Sequence, residues 1–129
     1  QALPGIALSD PGYLSCVANV HGWENFFAKG VEVYGEIGDL LLGISTSGNS
    51  LNIINAIAAA EKKNCFTAAL MGKEGGKLNG LCDYEIIVPS NNTARIQEIH
   101  TIVIHLLIEL IENELFASTE ENPNSKLYC

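Results

Sequence analysis

Apolar residues fall in short blocks along this chain, and the spacing within each block points to a particular element. Asp39-Leu40-Leu41-Leu42-Gly43-Ile44 is a continuous apolar run, the pattern of a strand buried on both faces of a parallel sheet. Cys65 to Met71 reads the same way, and Tyr84 to Val88 makes a third strand closed by Pro89. Leu51 to Lys63 is an alanine-rich helix, with Lys62 and Lys63 complementing its dipole in the last turn and Asn64 as the stop. Thr93 to Phe116 is a long helix capped by Asn92 or Thr93. Toward the start, Ala2 to Leu8 reads as a short strand ending in the turn Ser9-Asp10-Pro11-Gly12. Tyr13 to Ala18 gives one or two helical turns, and Trp23 to Tyr34 carries apolar residues at helical spacing before Gly35 and Gly38. Gly72 to Gly76 is a loop and Lys77 to Leu81 a short helical piece. Residues 1–116 are thus expected to form one domain, and 117–129 a flexible tail.

Strand, loop and helix units of this length imply right-handed crossovers. The expected architecture is α/β: a three-layer, flavodoxin-like open parallel sheet with helices on both faces. In such sheets ligands bind beyond the carboxyl ends of the strands. The loops after Ile44, Met71 and Val88 are therefore where chemistry belongs.

The first of these loops is Ser45-Thr46-Ser47-Gly48-Asn49-Ser50, set between a buried strand and a helix start. Free backbone N–H groups and the positive end of a helix dipole converge at such a junction. Four hydroxyls add donors, and Gly48 lets the backbone come close to an anion. An ordinary helix cap needs one such residue, so four in six positions favour an anion site, and neutral donors suffice for a phosphate monoester. Gly72-Lys73-Glu74-Gly75-Gly76-Lys77 has the wrong glycine spacing for a P-loop, with Leu78 where Ser or Thr would bind magnesium, and reads as a turn.

On the last helix, Gln97, Thr101, His105, Glu109 and Glu112 share a polar stripe, while Ile96, Val103, Leu107 and Ile111 line the other side. His100 falls on the apolar side, which suits packing or a subunit interface. His105 has two readings of about equal weight from periodicity alone: a functional imidazole, or an exposed one paired with Glu109 a turn later. The helix is apolar over more than one packing partner needs, so a second helix from another subunit is expected.

Composition narrows the partners. The net charge is −8, and the seven Lys and Arg residues are scattered, which argues against nucleic acid. The four cysteines form no C-x-x-C pair, as in a reduced, cytoplasmic setting. The apolar stretch around Ile102 to Ile111 is interrupted by His105 and Glu109 and is too short for a membrane span.

Gly38 to Ser50 closely resembles the phosphosugar loop of bacterial phosphoheptose isomerases, and so does Thr93-Ala94-Arg95-Ile96-Gln97-Glu98-Ile99-His100. The resemblance runs from about Ile6 to Leu115 and includes Ser15-Cys16-Val17-Ala18-Asn19 and the His105 position. It implies a sugar isomerase (SIS) fold, a homotetramer, and conversion of sedoheptulose 7-phosphate into D-glycero-D-manno-heptose 7-phosphate, a lipopolysaccharide precursor. By the same resemblance Ser45, Thr46, Ser47 and Ser50 bind substrate, chiefly its phosphate, and Asn19 is a further substrate contact. Gln97 would contact substrate and a zinc ion, and His105 would be the metal-binding, proton-moving histidine. Gln97 and His105 lie eight positions apart, roughly 12 Å along a helix, too far to share one ion from a single chain. Ligands from two subunits are therefore expected.

Two departures stand out. The Gly-rich segment and following helix that carry a His and a catalytic Glu in the family have no counterpart here, so the expectation is a domain lacking its N-terminal part and inactive alone. The position after Asn19, acidic in the family, is Val20, which removes a contact to a sugar hydroxyl. The competing expectation is a non-catalytic SIS protein that binds a partner, of the kind associated with the DnaA initiator.

Overall fold

The computed structural model describes residues 4–116. Helix α1 (Pro11–His21) starts where Asp10 accepts a hydrogen bond from the Tyr13 N–H at 2.8 Å and Pro11 supplies a preset φ, and it stops at Gly22. A 3₁₀ turn, Trp23–Asn25, leads into α2 (Phe26–Tyr34), so the helical spacing from Trp23 to Tyr34 resolves into two pieces. Three strands follow, β1 (Leu40–Ser45), β2 (Phe66–Gly72) and β3 (Tyr84–Val88), all parallel and in the order β1-β2-β3. Leu40 stands opposite Phe66 and Ser45 opposite Met71, and Gly72 stands opposite Val88. Helix α3 (Leu51–Lys62) joins β1 to β2, ending before Asn64 in the left-handed region. Helix α4 (Thr93–Phe116) follows β3, its first turn capped by Asn92, whose Oδ1 accepts from the Ala94 N–H at 3.0 Å. The segment after β2 holds only one 3₁₀ turn, Gly76–Leu78.

The expected α/β architecture is present, with α3 and α4 on opposite faces of a parallel sheet. On the α3 side the core is Ile57, Ala69, Met71 and Leu78, all essentially inaccessible. A second cluster, Ala28, Val31, Ala56, Ala59, Ala60 and Cys65, joins α2 to α3. At the far end of the sheet, Asp83 fastens β2 to the start of β3: its carboxylate accepts from both the N–H and the hydroxyl of Thr67, each at 2.8 Å. The Thr67 amide and then its hydroxyl hold the Asp83 carboxyl below the ordinary range.

Two expectations need correction. The run Asp39 to Ile44 is not buried on both faces, because Leu40, Leu42 and Ile44 remain 58%, 38% and 44% exposed on the side away from α3. Only the first turns of α4 reach that side, where Ile96 and His100 are buried. Further along, a hollow of about 650 Å³ separates Leu42, Leu70 and Ile86 of the sheet from Ile104, Leu107 and Ile111 of α4. The other correction concerns the short strand expected over Ala2 to Leu8. Residues 4–8 form no strand, because a hollow of about 660 Å³ lies between Gly5–Ser9 and the free edge of β1, where a ladder partner would have to be. The expected tail, 117–129, lies outside the described residues. Among the described residues no helix is long and apolar enough to cross a membrane.

Candidate functional site

Parallel pairing of Ser45 with Met71 brings the ends of β1 and β2 level, and the loops that leave them lock together. Gly48 is the contact point. Its φ of +64° is left-handed, and a Cβ there would overlap the carbonyl of Gly75 and come within 2.9 Å of the Gly76 nitrogen. Its carbonyl accepts from the Leu78 N–H at 3.0 Å, and Asn49 Oδ1 accepts from the Lys77 N–H at 3.1 Å. The second glycine-rich loop is indeed a turn, and its work is to brace the first.

Braced in this way, the Ser45–Ser50 loop delivers its donors to one corner. Ser45 is 4% exposed and its hydroxyl lies 2.9 Å from that of Ser50. Ser50 is the N-cap residue of α3, yet its side chain caps no amide. Its carbonyl instead accepts from the N–H groups of Ile53 and Ile54, both at 3.1 Å. The N–H groups of Ser50, Leu51 and Asn52 donate no hydrogen bond among the described residues. Unclaimed amides at a helix start, with hydroxyls beside them, are the equipment for holding an anion.

A hollow of about 410 Å³ opens at this corner, walled by Ile44, Ser45, Thr46 and Ser50 on one side and by Gln97, His100, Thr101 and Ile104 of α4 on the other. The structure thus gathers Ser45, Thr46, Ser50 and Gln97 around one space. It leaves Ser47, Asn19 and His105 out of that wall. The Ser47 hydroxyl accepts from the Asn49 N–H at 3.2 Å, inside the loop. Asn19 is exposed near the end of α1 beside the exposed Val20. His105 is exposed on α4, two turns beyond Gln97.

No lysine or arginine lines the hollow. Arg95, nearest in sequence to Gln97, is paired with Glu98 at 2.6 Å. Neutral donors and a helix dipole therefore make up its attraction for anions. No group of three or more His, Cys, Asp or Glu that could hold a metal occurs among the described residues. With Gln97 and His105 on one helix, a single chain does not fit a shared ion.

Sequence reasoning missed the brace. Asn49 and the pair Gly75-Gly76 do it, and adjacent glycines were the available sign of a close backbone approach. It placed His100 correctly as a packed residue: the ring is 3% exposed and its Nε2 lies 2.9 Å from the Met71 carbonyl. It did not anticipate that the same ring lines the hollow.

No family model matches the chain. Individual relatives do. The chain is 51% identical over 116 residues to the phosphoheptose isomerase of Fusobacterium nucleatum, covering 90% of this chain and 60% of that protein. It is 58% identical over 113 residues to the phosphoheptose isomerase of Histophilus somni, covering 87% of this chain and 58% of that one. Among solved structures, the phosphoheptose isomerase of Neisseria gonorrhoeae superposes with a TM-score of 0.82 at 40% identity, over 84% of this chain and 61% of that chain. The Francisella tularensis phosphoheptose isomerase gives 0.83 at 39% identity, over 85% and 60%. The chain spans about three-fifths of the length of the relatives it matches.

Proposed function

Over the stretch it shares with them, this chain belongs to the phosphoheptose isomerase family, and from that premise we propose that it is the phosphate-gripping part of a ketose-aldose phosphosugar isomerase. The substrate pair is sedoheptulose 7-phosphate and D-glycero-D-manno-heptose 7-phosphate. One observation carries the reading: a strand-to-helix corner lined by Ser45, Thr46 and Ser50 faces Gln97 across a hollow, beside unclaimed amides at the start of α3.

The terminal phosphate sits against Ser45, Thr46 and Ser50 and the amides of Ser50, Leu51 and Asn52, with Ser47 contributing from the loop. Gln97 meets the sugar from the α4 side. Isomerisation moves a proton from one carbon to its neighbour through an enediol, which calls for a side chain that can take up a proton and return it. The His105 imidazole fills that role. It stands two turns along α4 from Gln97, so it serves the hollow of another copy, and Gln97 and His105 from two copies would bind zinc. Zinc, when bound, would polarise the sugar oxygen. The exposed stripe Ile102, Leu106 and Leu110, each more than half exposed, supports assembly of copies through α4, which we take to be a tetramer.

Titration of sedoheptulose 7-phosphate into the chain tests the reading. Saturable binding, competed by other phosphate monoesters and lost on combined S45A, S47A and S50A substitution, is expected. Unaltered binding by the triple variant would refute it.

A further inference from the structure

Among the described residues, one buried side-chain nitrogen or oxygen has no hydrogen-bond partner, and it is His100 Nδ1. Buried polar atoms are nearly always paired, so an exception calls for a physical reason. The other ring nitrogen is committed. Nε2 lies 2.9 Å from the Met71 carbonyl, and a carbonyl can only accept, so Nε2 carries the proton. In the neutral ring Nδ1 is then a bare lone pair, an acceptor in want of a donor.

The ring is also fixed relative to the anion corner. Met71 is the ladder partner of Ser45, so the carbonyl that holds His100 is level with the first hydroxyl of the loop. His100 itself is 3% exposed and is part of the wall that includes Ser45, Thr46, Ser50 and Gln97. Two hydroxyls of that wall donate within the protein: Ser45 to the Ser50 hydroxyl at 2.9 Å, and Thr101 to the Gln97 carbonyl at 3.0 Å.

We infer that His100 Nδ1 accepts a hydrogen bond from a hydroxyl of the sugar bound in this hollow, which makes His100 a specificity-determining residue. The inference rests on the phosphosugar reading given above. A phosphate dianion offers only acceptors and is no match for a bare lone pair; a polyol is. Nδ1 is shielded in this conformation, so a small side-chain adjustment of the wall accompanies pairing. The phosphate is held by the loop, and His100 reads the carbon chain attached to it.

The test uses the chain with ¹⁵N-labelled histidine, titrated in parallel with inorganic phosphate and with sedoheptulose 7-phosphate. The expected result is that the His100 Nδ1 resonance shifts toward the hydrogen-bonded position with the sugar phosphate and stays in place with phosphate. H100Q supplies an amide at the Nε2 position to keep the Met71 bond but has no acceptor at Nδ1. It should bind phosphate as the wild type does and sedoheptulose 7-phosphate about 3- to 10-fold more weakly, the range of one lost hydrogen bond. An Nδ1 resonance unmoved at saturation overturns the inference, and that result needs no variant. Equal sugar-phosphate affinity in a folded H100Q overturns it as well. If the wild type binds neither ligand, the phosphosugar reading fails and takes this inference with it; binding with a silent Nδ1 sinks only the inference.

Discussion

Replacing Gly48 by alanine isolates what the brace between the two loops contributes. Two costs add at this position. The φ of +64° puts any Cβ in the left-handed region, at about 1–2 kcal/mol. The same Cβ would overlap the Gly75 carbonyl, a backbone group that cannot rotate away, so the loops must part. Overpacking of this kind costs about 1–3 kcal/mol more. Gly38 provides the control, since its φ is +90° and a Cβ there meets nothing within 4 Å. Only the dihedral cost applies to it. Urea denaturation of G38A and G48A, with m-values of about 1–3 kcal/mol/M expected for a small domain, should show roughly twice the midpoint loss for G48A. Parting the loops also displaces the Ser50, Leu51 and Asn52 amides, so G48A should lose phosphosugar affinity while G38A keeps it. Equal midpoints for the two variants, together with unchanged affinity in G48A, would refute the brace.

Other outcomes follow from the same structure. The Asp83 carboxyl is held low by its bonds to Thr67, so it stabilises the fold above the ordinary carboxylate pKa and that contribution disappears as pH falls through the depressed folded value. D83N should therefore melt lower than wild type at neutral pH and show a flatter acid limb in a melting-temperature series; parallel limbs would count against the Thr67 contacts. The Cys82 thiol is pushed up to about 11, first by burial and then by Glu85, Asp83 and Glu61, whereas Cys16 is exposed. Alkylation at pH 8, mapped by mass spectrometry, should label Cys16 well before Cys82. Glutamate at Leu106 and Leu110, which are 51% and 62% exposed on α4, should shift light-scattering mass toward the monomer with little loss of fold. An unchanged mass would exclude α4 as the contact between copies.

Where the sequence was legible, a local signal was sufficient. Pro89 closed β3 at Val88, Asn92 capped α4, and the lysines before Asn64 marked the end of α3, each by chemistry confined to a few residues. The strand-to-helix corner was legible for the same reason, because hydroxyls, a glycine and a helix start lie within six positions. What escaped was tertiary. The apolarity of Leu40, Leu42 and Ile44 states that they need cover, not that this chain supplies it. Gly48 announced an unusual backbone, but nothing local named Gly75 as the reason. His100 could be assigned to an apolar face, yet its bond to Met71 and its place in the hollow depend on where β2 ends. Gln97 and His105 share a polar stripe, and only the fold separates one from the other at the site.

We propose that neutral donors at the end of β1 and the start of α3 capture a phosphate monoester. Amide chemical shifts followed during titration with sedoheptulose 7-phosphate test this at the residues themselves. Saturable shifts centred on Ser45 to Asn52 are expected, with Gln97 following and the far end of α4 silent. Shifts confined to some other part of the chain, or none at millimolar ligand, would overturn the assignment.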